Sequence, residues 1–218
     1  MAKRTTPPTR PPATLVILVR HGQTTTTGTV LPGRARGLRL APVGIEQAAK
    51  VAGRLAGVGN IDAVYASPLE RTRETAAPIS KALGLRTKSA KSLIECDFGE
   101  WTGRKLSELM KLPEWRQVQT APSTFRFPGG ESFTEMQTRI TGELERLAAA
   151  HAGRAIVCVS HADPIKAAVA HASGTHLDLF QRIVISPCSV TPILLGAGTP
   201  IVLAVNSTGD DLTSLAPS

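Results

Sequence analysis

At 218 residues, with 42% hydrophobic and 19% charged side chains, the chain has an ordinary globular makeup. It is long enough for one large core, or a core with a cap, and no apolar run approaches the roughly 18 residues of a membrane span. The formal net charge of +8 is unevenly spread: residues 1–45 carry seven basic side chains and no acid, while the rest balances 18 basic against 17 acidic residues. Only 4% of residues are aromatic, so the interleaved aromatics of a nucleic-acid surface are missing, and no nucleic-acid partner is expected. A positive field concentrated near one site suits the steering of small anions. The three cysteines, Cys96, Cys158 and Cys188, are odd in number and far apart, so neither a disulfide framework nor a metal site follows. The basic residues before the first apolar run do not make a signal peptide, because the run is short and no small-residue cleavage site follows. A cytoplasmic protein without a membrane partner is expected.

Taken in order, residues 1–13 form a basic, proline-rich tail expected to be disordered or extended. Leu15–Val19 reads as a buried strand. A long loop rich in threonine, glycine and arginine spans 22–42, and its length alone points to function. Val43–Val58 has helical spacing, with Ile45, Ala48, Ala52 and Leu55 on one face, and Gly57 stops it. Ile61–Ala66 is a second strand. Ser67 as N-cap and Pro68 at the first helical position open a helix that runs to Leu83. Residues 92–132 are loop-rich and predict a small cap, with a helical stretch over 104–118 broken by Pro113. Ser132 and Glu135 form a capping box that starts a helix of about five turns ending near His151. Ala155–Val159 is a third strand, and Pro164 opens a helix to His171. Strand-like stretches follow at 182–186, 190–195 and 201–205, before an irregular tail at 207–218. Strands alternating with helices predict an α/β domain over 14–206, with a mostly parallel central sheet flanked by helices on both faces.

The chemistry gathers at strand ends, where open α/β sheets place their ligands. Val-Arg20-His21-Gly22 closes the first strand and Val-Ser-His161-Ala162 the third. Parallel strands present these ends on one edge, so the two imidazoles can meet. Arg20 offers a planar fork for phosphate or carboxylate, and His21 can act as base or nucleophile. Gly22 lets the backbone approach a ligand closely. Arg71, near the start of a helix, and Glu95, in a loop, lie between the histidines in sequence. The set matches what phosphoryl transfer through histidine requires: several cationic donors, an in-line nucleophile and a general acid.

Six segments in register resemble the histidine phosphatase superfamily, the phosphoglycerate-mutase-like proteins, in its first branch. They are Leu-Val-Arg-His-Gly-Gln-Thr (18–24), Leu-Ala-Pro-Val-Gly-Ile-Glu-Gln-Ala (40–48), Ala-Ser-Pro-Leu-Glu-Arg-Thr-Arg-Glu-Thr-Ala (66–76), Leu-Ile-Glu-Cys-Asp-Phe-Gly-Glu-Trp-Thr-Gly (93–103), Pro-Gly-Gly-Glu-Ser (128–132) and Val-Ser-His-Ala-Asp-Pro-Ile (159–165). The run from His176 to Ile183 also resembles a bacterial subgroup described as phosphomutases. The resemblance implies that His21 becomes phosphohistidine, that Arg20, Arg71 and His161 hold the phosphoryl oxygens, and that Glu95 is the general acid. His161 is more useful there as a cation. Gln23 and Thr27 join the substrate-binding residues, and Gly22 and Ala162 can offer backbone N–H groups. Thr27 stands where many relatives carry an asparagine. Arg73 is the alternative to Arg71, and Asp97 and Asp163 are the alternatives to Glu95. His151, His171 and His176 read as capping or surface histidines. Neither metal nor other cofactor is implied, because arginines and histidines supply the charge.

The expected activity is phosphomonoester hydrolysis on a small phosphorylated metabolite. A phosphoglycerate-type phosphomutase is the alternative. It is disfavoured because Lys105, Lys111, Arg116 and Arg126 are dispersed and give no second anion anchor. A non-catalytic anion- or nucleic-acid-binding module is the remaining reading. Arg34, Arg36 and Arg39 predict a basic mouth. Phe98, Trp101, Trp115, Phe125 and Phe127 could line an apolar cap or form its core, the commoner fate. Dimers are common in this family, and the sequence leaves the oligomeric state open.

Overall fold

The protein is described here from a computed structural model, over residues 12–196 and 198–209. The expected tails therefore lie largely outside the described residues. Six strands form one sheet: β1 (Thr14–Arg20), β2 (Ile61–Ala66), β3 (Thr87–Ser89), β4 (Ala155–Ser160), β5 (Val190–Leu195) and β6 (Ile201–Val202), in the order β3-β2-β4-β1-β5-β6. The pairs β2–β3, β2–β4 and β1–β4 are parallel, and β1–β5 and β5–β6 are antiparallel. β1 and β4, at the centre, lie side by side in register from Leu15 opposite Ala155 to Arg20 opposite Ser160. Their polar continuations therefore leave the sheet together.

The strands read as unbroken apolar runs because both faces of the sheet are covered. Leu15, Ile17 and Val19 join Val157 and Val159 in one core, against Val51 and Leu55 of α1 (Pro42–Ala56) and Ile79 of α2 (Glu70–Leu83). Val16, Leu18, Ile156 and Cys158 face the other core. That core is built with Met136, Ile140 and Leu144 of α5 (Phe133–Ala150) and Ile165 and Val169 of α6 (Ala162–Ala172). Phe98, Trp101, Phe125 and Phe127 are buried in this second core rather than exposed at a mouth. Phe127 packs edge to face with Phe98 and Phe133, with ring centroids 4.9 and 5.1 Å apart, a favoured aromatic geometry. Ser132 caps α5 through the reciprocal bonds with Glu135 that its sequence promised.

Several elements differ from the sequence-based expectation. α2 begins at Glu70 with Leu69 as N-cap and no side-chain cap bond; Ser67 is buried and engaged elsewhere. Pro113 does not break one helix. It opens a second: a single turn α3 (Leu106–Leu109) precedes α4 (Pro113–Thr120), and the missing N–H falls in the first turn, where it is tolerated. Residues 183–186 are not a strand. The free edge of β1 is taken by β5, and the Ile185 carbonyl accepts from Arg20 Nη1 at 2.6 Å instead of from a neighbouring strand. The last strand stops at Val202, ahead of Asn206 in the left-handed region. β3, three exposed polar residues, carries no apolar pattern to announce it.

Two glycines let α1 press against the end of β1. A Cβ on Gly44 would stand 2.1 Å from the Gln23 carbonyl oxygen, and one on Gly22 would stand 2.6 Å from the Gly44 carbonyl oxygen. Gly22 is thus demanded by helix packing. Replacing Gly44 by alanine is expected to destabilise the fold by about 2 kcal/mol or more, since backbone must move on both sides. Gly53, exposed in the same helix with nothing within 4 Å of its Cβ position, is the control; alanine there should stabilise by up to about 1 kcal/mol. Denaturant unfolding midpoints read both.

Candidate active site

The ends of β1 and β4 are tied by backbone: His21 N–H donates to the Ser160 carbonyl at 3.0 Å. This brings the two imidazoles together, edge to face, with ring centroids 5.2 Å apart. His21 Nδ1 donates to the Gly22 carbonyl at 2.7 Å, so in the neutral ring Nε2 keeps its lone pair. Burial, then the charges of Arg71 and Arg20, hold the His21 pKa down to about 3, against the opposing pull of the Gly22 bond. The ring is therefore neutral and nucleophilic at physiological pH.

His161 caps the amino terminus of α6, is fully buried, and pairs through Nε2 with Ser67 Oγ at 2.8 Å. Burial and the nearby Arg71 push its pKa well below the ordinary histidine value. This direction runs against the expected cation; a dianion beside the ring would raise the pKa. Arg71 lies one residue into α2, fully buried, with Nη2 donating to the Gly33 carbonyl at 2.7 Å. Arg73, its alternative, is exposed. Arg71 Nε and Nη1, Arg20 Nε and His161 Nδ1 are buried without a protein partner among the described residues. Buried donors of this kind are costly unless a ligand answers them. Burial lowers the pKa of both guanidinium groups and the Glu95 charge raises it.

Glu95 is buried and accepts from Cys96 N–H at 2.9 Å. Burial first, then Asp163, raise its pKa to about 7, with Arg71 and Arg20 opposing. Its backbone is clamped from several sides. Arg34 Nε donates to the Glu95 carbonyl at 2.9 Å, Arg139 Nη1 donates to Ser92 and Ile94 carbonyls at 2.7 and 2.9 Å, and Ser160 Oγ donates to Leu93 at 2.7 Å. Glu131 binds both arginines, at 3.0 Å to Arg34 and 2.8 Å to Arg139. Asp97 also pairs with Arg34, at 3.1 Å. Asp97 is thus committed to that ion pair, and Arg34 is a clamp behind Glu95 instead of a free cation at the mouth. Arg39 pairs with Glu74, and Arg36 is exposed.

A cavity of about 370 Å³ is lined by Arg20, His21, Thr27, Glu95, Ala162 and Asp163, among others. Thr27 Oγ1 accepts from Thr24 N–H at 2.9 Å and lies 3.0 Å from the Thr24 hydroxyl, so it shapes the loop as well as lining the cavity. The Gly22 N–H is taken by Thr75 Oγ1 at 3.0 Å, and Gln23 is held through its N–H by Gln47 at 2.9 Å. His151 bonds Tyr65 and Asp62, and His176 bonds the Asp178 N–H; neither lines this cavity, nor does the exposed His171. Three residues of the site carry no distinct signal in the sequence: Ser67 reads as a helix cap, Thr75 is one of many helical residues, and Arg139 is marked only by its place in the apolar spacing of α5. Among the described residues, no group of three or more histidine, cysteine, aspartate or glutamate side chains is arranged to hold a metal ion.

Comparison with known proteins agrees with this geometry. A sequence profile of the histidine phosphatase superfamily (branch 1) matches residues 16–208. The chain is 32% identical over 204 residues to a Mycobacterium tuberculosis protein called bifunctional protein Rv2228c, covering 90% of this chain but 54% of that one. It therefore spans about half the length of that relative. It is 32% identical to phosphoserine phosphatase 1 of Hydrogenobacter thermophilus, over 88% of this chain and 92% of that one. Among solved structures, a phosphoserine phosphatase of Entamoeba histolytica superposes with a TM-score of 0.81 at 27% identity, covering 91% of this chain and all of that one. YhfR of Bacillus stearothermophilus gives 0.84 at 25% identity, over 91% and 99%. The fold is that of the phosphoglycerate-mutase-like phosphatases, and the chain belongs to branch 1 of the histidine phosphatase superfamily.

Proposed function

We propose that this chain hydrolyses phosphomonoesters through a phosphohistidine on His21. The observation that carries the reading is the cluster of buried, unanswered donors on Arg20, Arg71 and His161 around a neutral His21. His21 Nε2 attacks phosphorus in line as the ester P–O bond breaks, while Arg20, Arg71 and His161 hold the three other phosphoryl oxygens. Protonated Glu95 gives its proton to the departing alkoxide. The Glu95 carboxylate then takes a proton from water, which attacks phospho-His21 and releases phosphate with His21 restored. A pKa of about 7 lets Glu95 serve both steps. The two guanidinium groups supply the positive charge that a metal would otherwise bring, so the reaction is proposed to need no metal or other cofactor.

We take the substrate to be a small phosphorylated metabolite and, with three free, buried cysteines, the setting to be the reducing cytoplasm. Residues 92–132 are read as a cap insertion within one domain spanning 14–206. No helix among the described residues is long and apolar enough to cross a membrane. Mutase chemistry would need a second anchor for a doubly charged intermediate. Lys105, Lys111 and Arg116 are exposed, and Arg126 is paired with Glu135. A panel headed by phosphoserine and 3-phosphoglycerate, the ligands named with relatives, tests the reading. Phosphate should be released at a rate unchanged by chelator. Interconversion of 3- and 2-phosphoglycerate, with bisphosphate primer, outrunning phosphate release would instead identify a mutase.

A further inference from the structure

The reaction cavity does not end at the phosphoryl site. A second cavity of about 250 Å³ adjoins it, and the two share Leu31, Phe98, Asp163, Lys166 and Gln181 in their walls. Beyond this shared boundary the second cavity is walled by Trp115, Val118 and Gln119 of α4, with Phe127 and Phe133. At the boundary, Lys166 Nζ donates to Asp163 Oδ1 at 3.2 Å and to Gln181 Oε1 at 3.0 Å. An ammonium has three donors; among the described residues two are used by these bonds, and the third is left with the Phe180 ring, whose centroid lies 5.9 Å from Nζ. Its charge is already matched by Asp163.

We infer that this annex receives the leaving alcohol of the substrate, and that the alcohol carries an apolar, ring-sized body with one hydrogen-bond acceptor at the level of Lys166. The inference rests on the hydrolase reading and deepens it. An apolar cavity of about 150 Å³ already accommodates a benzene ring, and the annex is larger. Aromatic walls without an unmatched cation disfavour a second phosphate or a free carboxylate, whose desolvation nothing would offset. Ring-bearing phosphomonoesters are therefore favoured over compact, doubly anionic ones such as phosphoglycerates. Lys166 and Gln181 orient the alcohol and take no part in proton transfer.

Ethyl phosphate and 3-phenylpropyl phosphate test this, because their leaving alcohols have similar basicity and differ in apolar reach. For the unmodified protein, kcat/KM is expected to be roughly 30-fold higher for the phenylpropyl ester, the worth of burying one such ring. Val118→Phe, which fills the annex, should bring the ratio close to one. Trp115→Ala, which removes one wall, should lower it several-fold should the first variant fold poorly. Equal kcat/KM for the two esters in the unmodified protein, or a ratio that survives both substitutions, would overturn the inference while leaving the hydrolase reading intact. Turnover of neither ester with phosphate still released from phosphoserine would overturn the inference alone; release from no monoester would overturn both.

Discussion

Alanine at position 21 should lower phosphate release from any monoester by about four orders of magnitude or more, the scale seen when a covalent nucleophile is removed. No other group described here combines a neutral imidazole, a lone pair fixed by the Nδ1 bond to Gly22, and a place in the wall of the cavity. His161 does not replace it: with its Nε2 accepting from Ser67 Oγ, its Nδ1 carries the proton and can only donate. The loss should not come from unfolding. Among the described residues the His21 ring hydrogen-bonds its neighbour's carbonyl alone, and the loop stays anchored through the Gly22 N–H to Thr75. Far-UV circular dichroism should be unchanged, and inorganic phosphate should still bind through Arg20 and Arg71. Turnover within tenfold of the unmodified protein would remove His21 from the chemistry. Since burial and two arginines hold its pKa near 3, His21 should contribute no acidic limb to the rate profile above about pH 4.

Glutamine at position 95 should reduce turnover of alkyl phosphates by about 10²- to 10⁴-fold, the usual worth of a general acid. The pH dependence gives the sharper reading. The group must be protonated to donate, and its folded-state pKa is raised to about 7. For alkyl esters, the basic limb of kcat/KM should therefore bend near pH 7 and fall tenfold per unit above it. The variant should lack that limb. With 4-nitrophenyl phosphate, whose leaving group needs no proton, the variant should show a burst of one nitrophenol per protein followed by slow turnover, because water attack on the phosphoenzyme still lacks its base. A limb near pH 7 that survives in the variant would assign it to a group other than Glu95.

Much of this site was legible in the chain because its residues sit where sequence patterns are strongest. His21 and His161 follow unbroken apolar strands, and adjacent parallel strands necessarily bring such ends together. Arg71 follows a strand by the length of one turn, and its burial separates it from the exposed Arg73. What escaped was everything set by long-range pairing. Ser67 before Pro68 is as good a cap signal as any, yet the hydroxyl is used 94 positions away by His161. Arg34 belonged to a basic run, and only folding reveals that Asp97, Glu131 and the Glu95 carbonyl absorb it. Gly22 looked like a ligand-approach glycine and proves to be demanded by Gly44 of α1. Residues 182–186 had the apolar character of a strand, but strand pairing also requires a free neighbouring edge, and β5 already holds it.

On the proposed pathway a phosphoryl group resides on His21 during turnover. Phosphohistidine survives alkali, so protein quenched in base during steady-state hydrolysis of 4-nitrophenyl phosphate can be weighed intact and then digested. One added phosphoryl group per chain is expected, mapped to the peptide bearing His21, with greater occupancy in Glu95→Gln and none in His21→Ala. Turnover that proceeds with no adduct in either the unmodified protein or Glu95→Gln, or an adduct mapped to another residue, would contradict it.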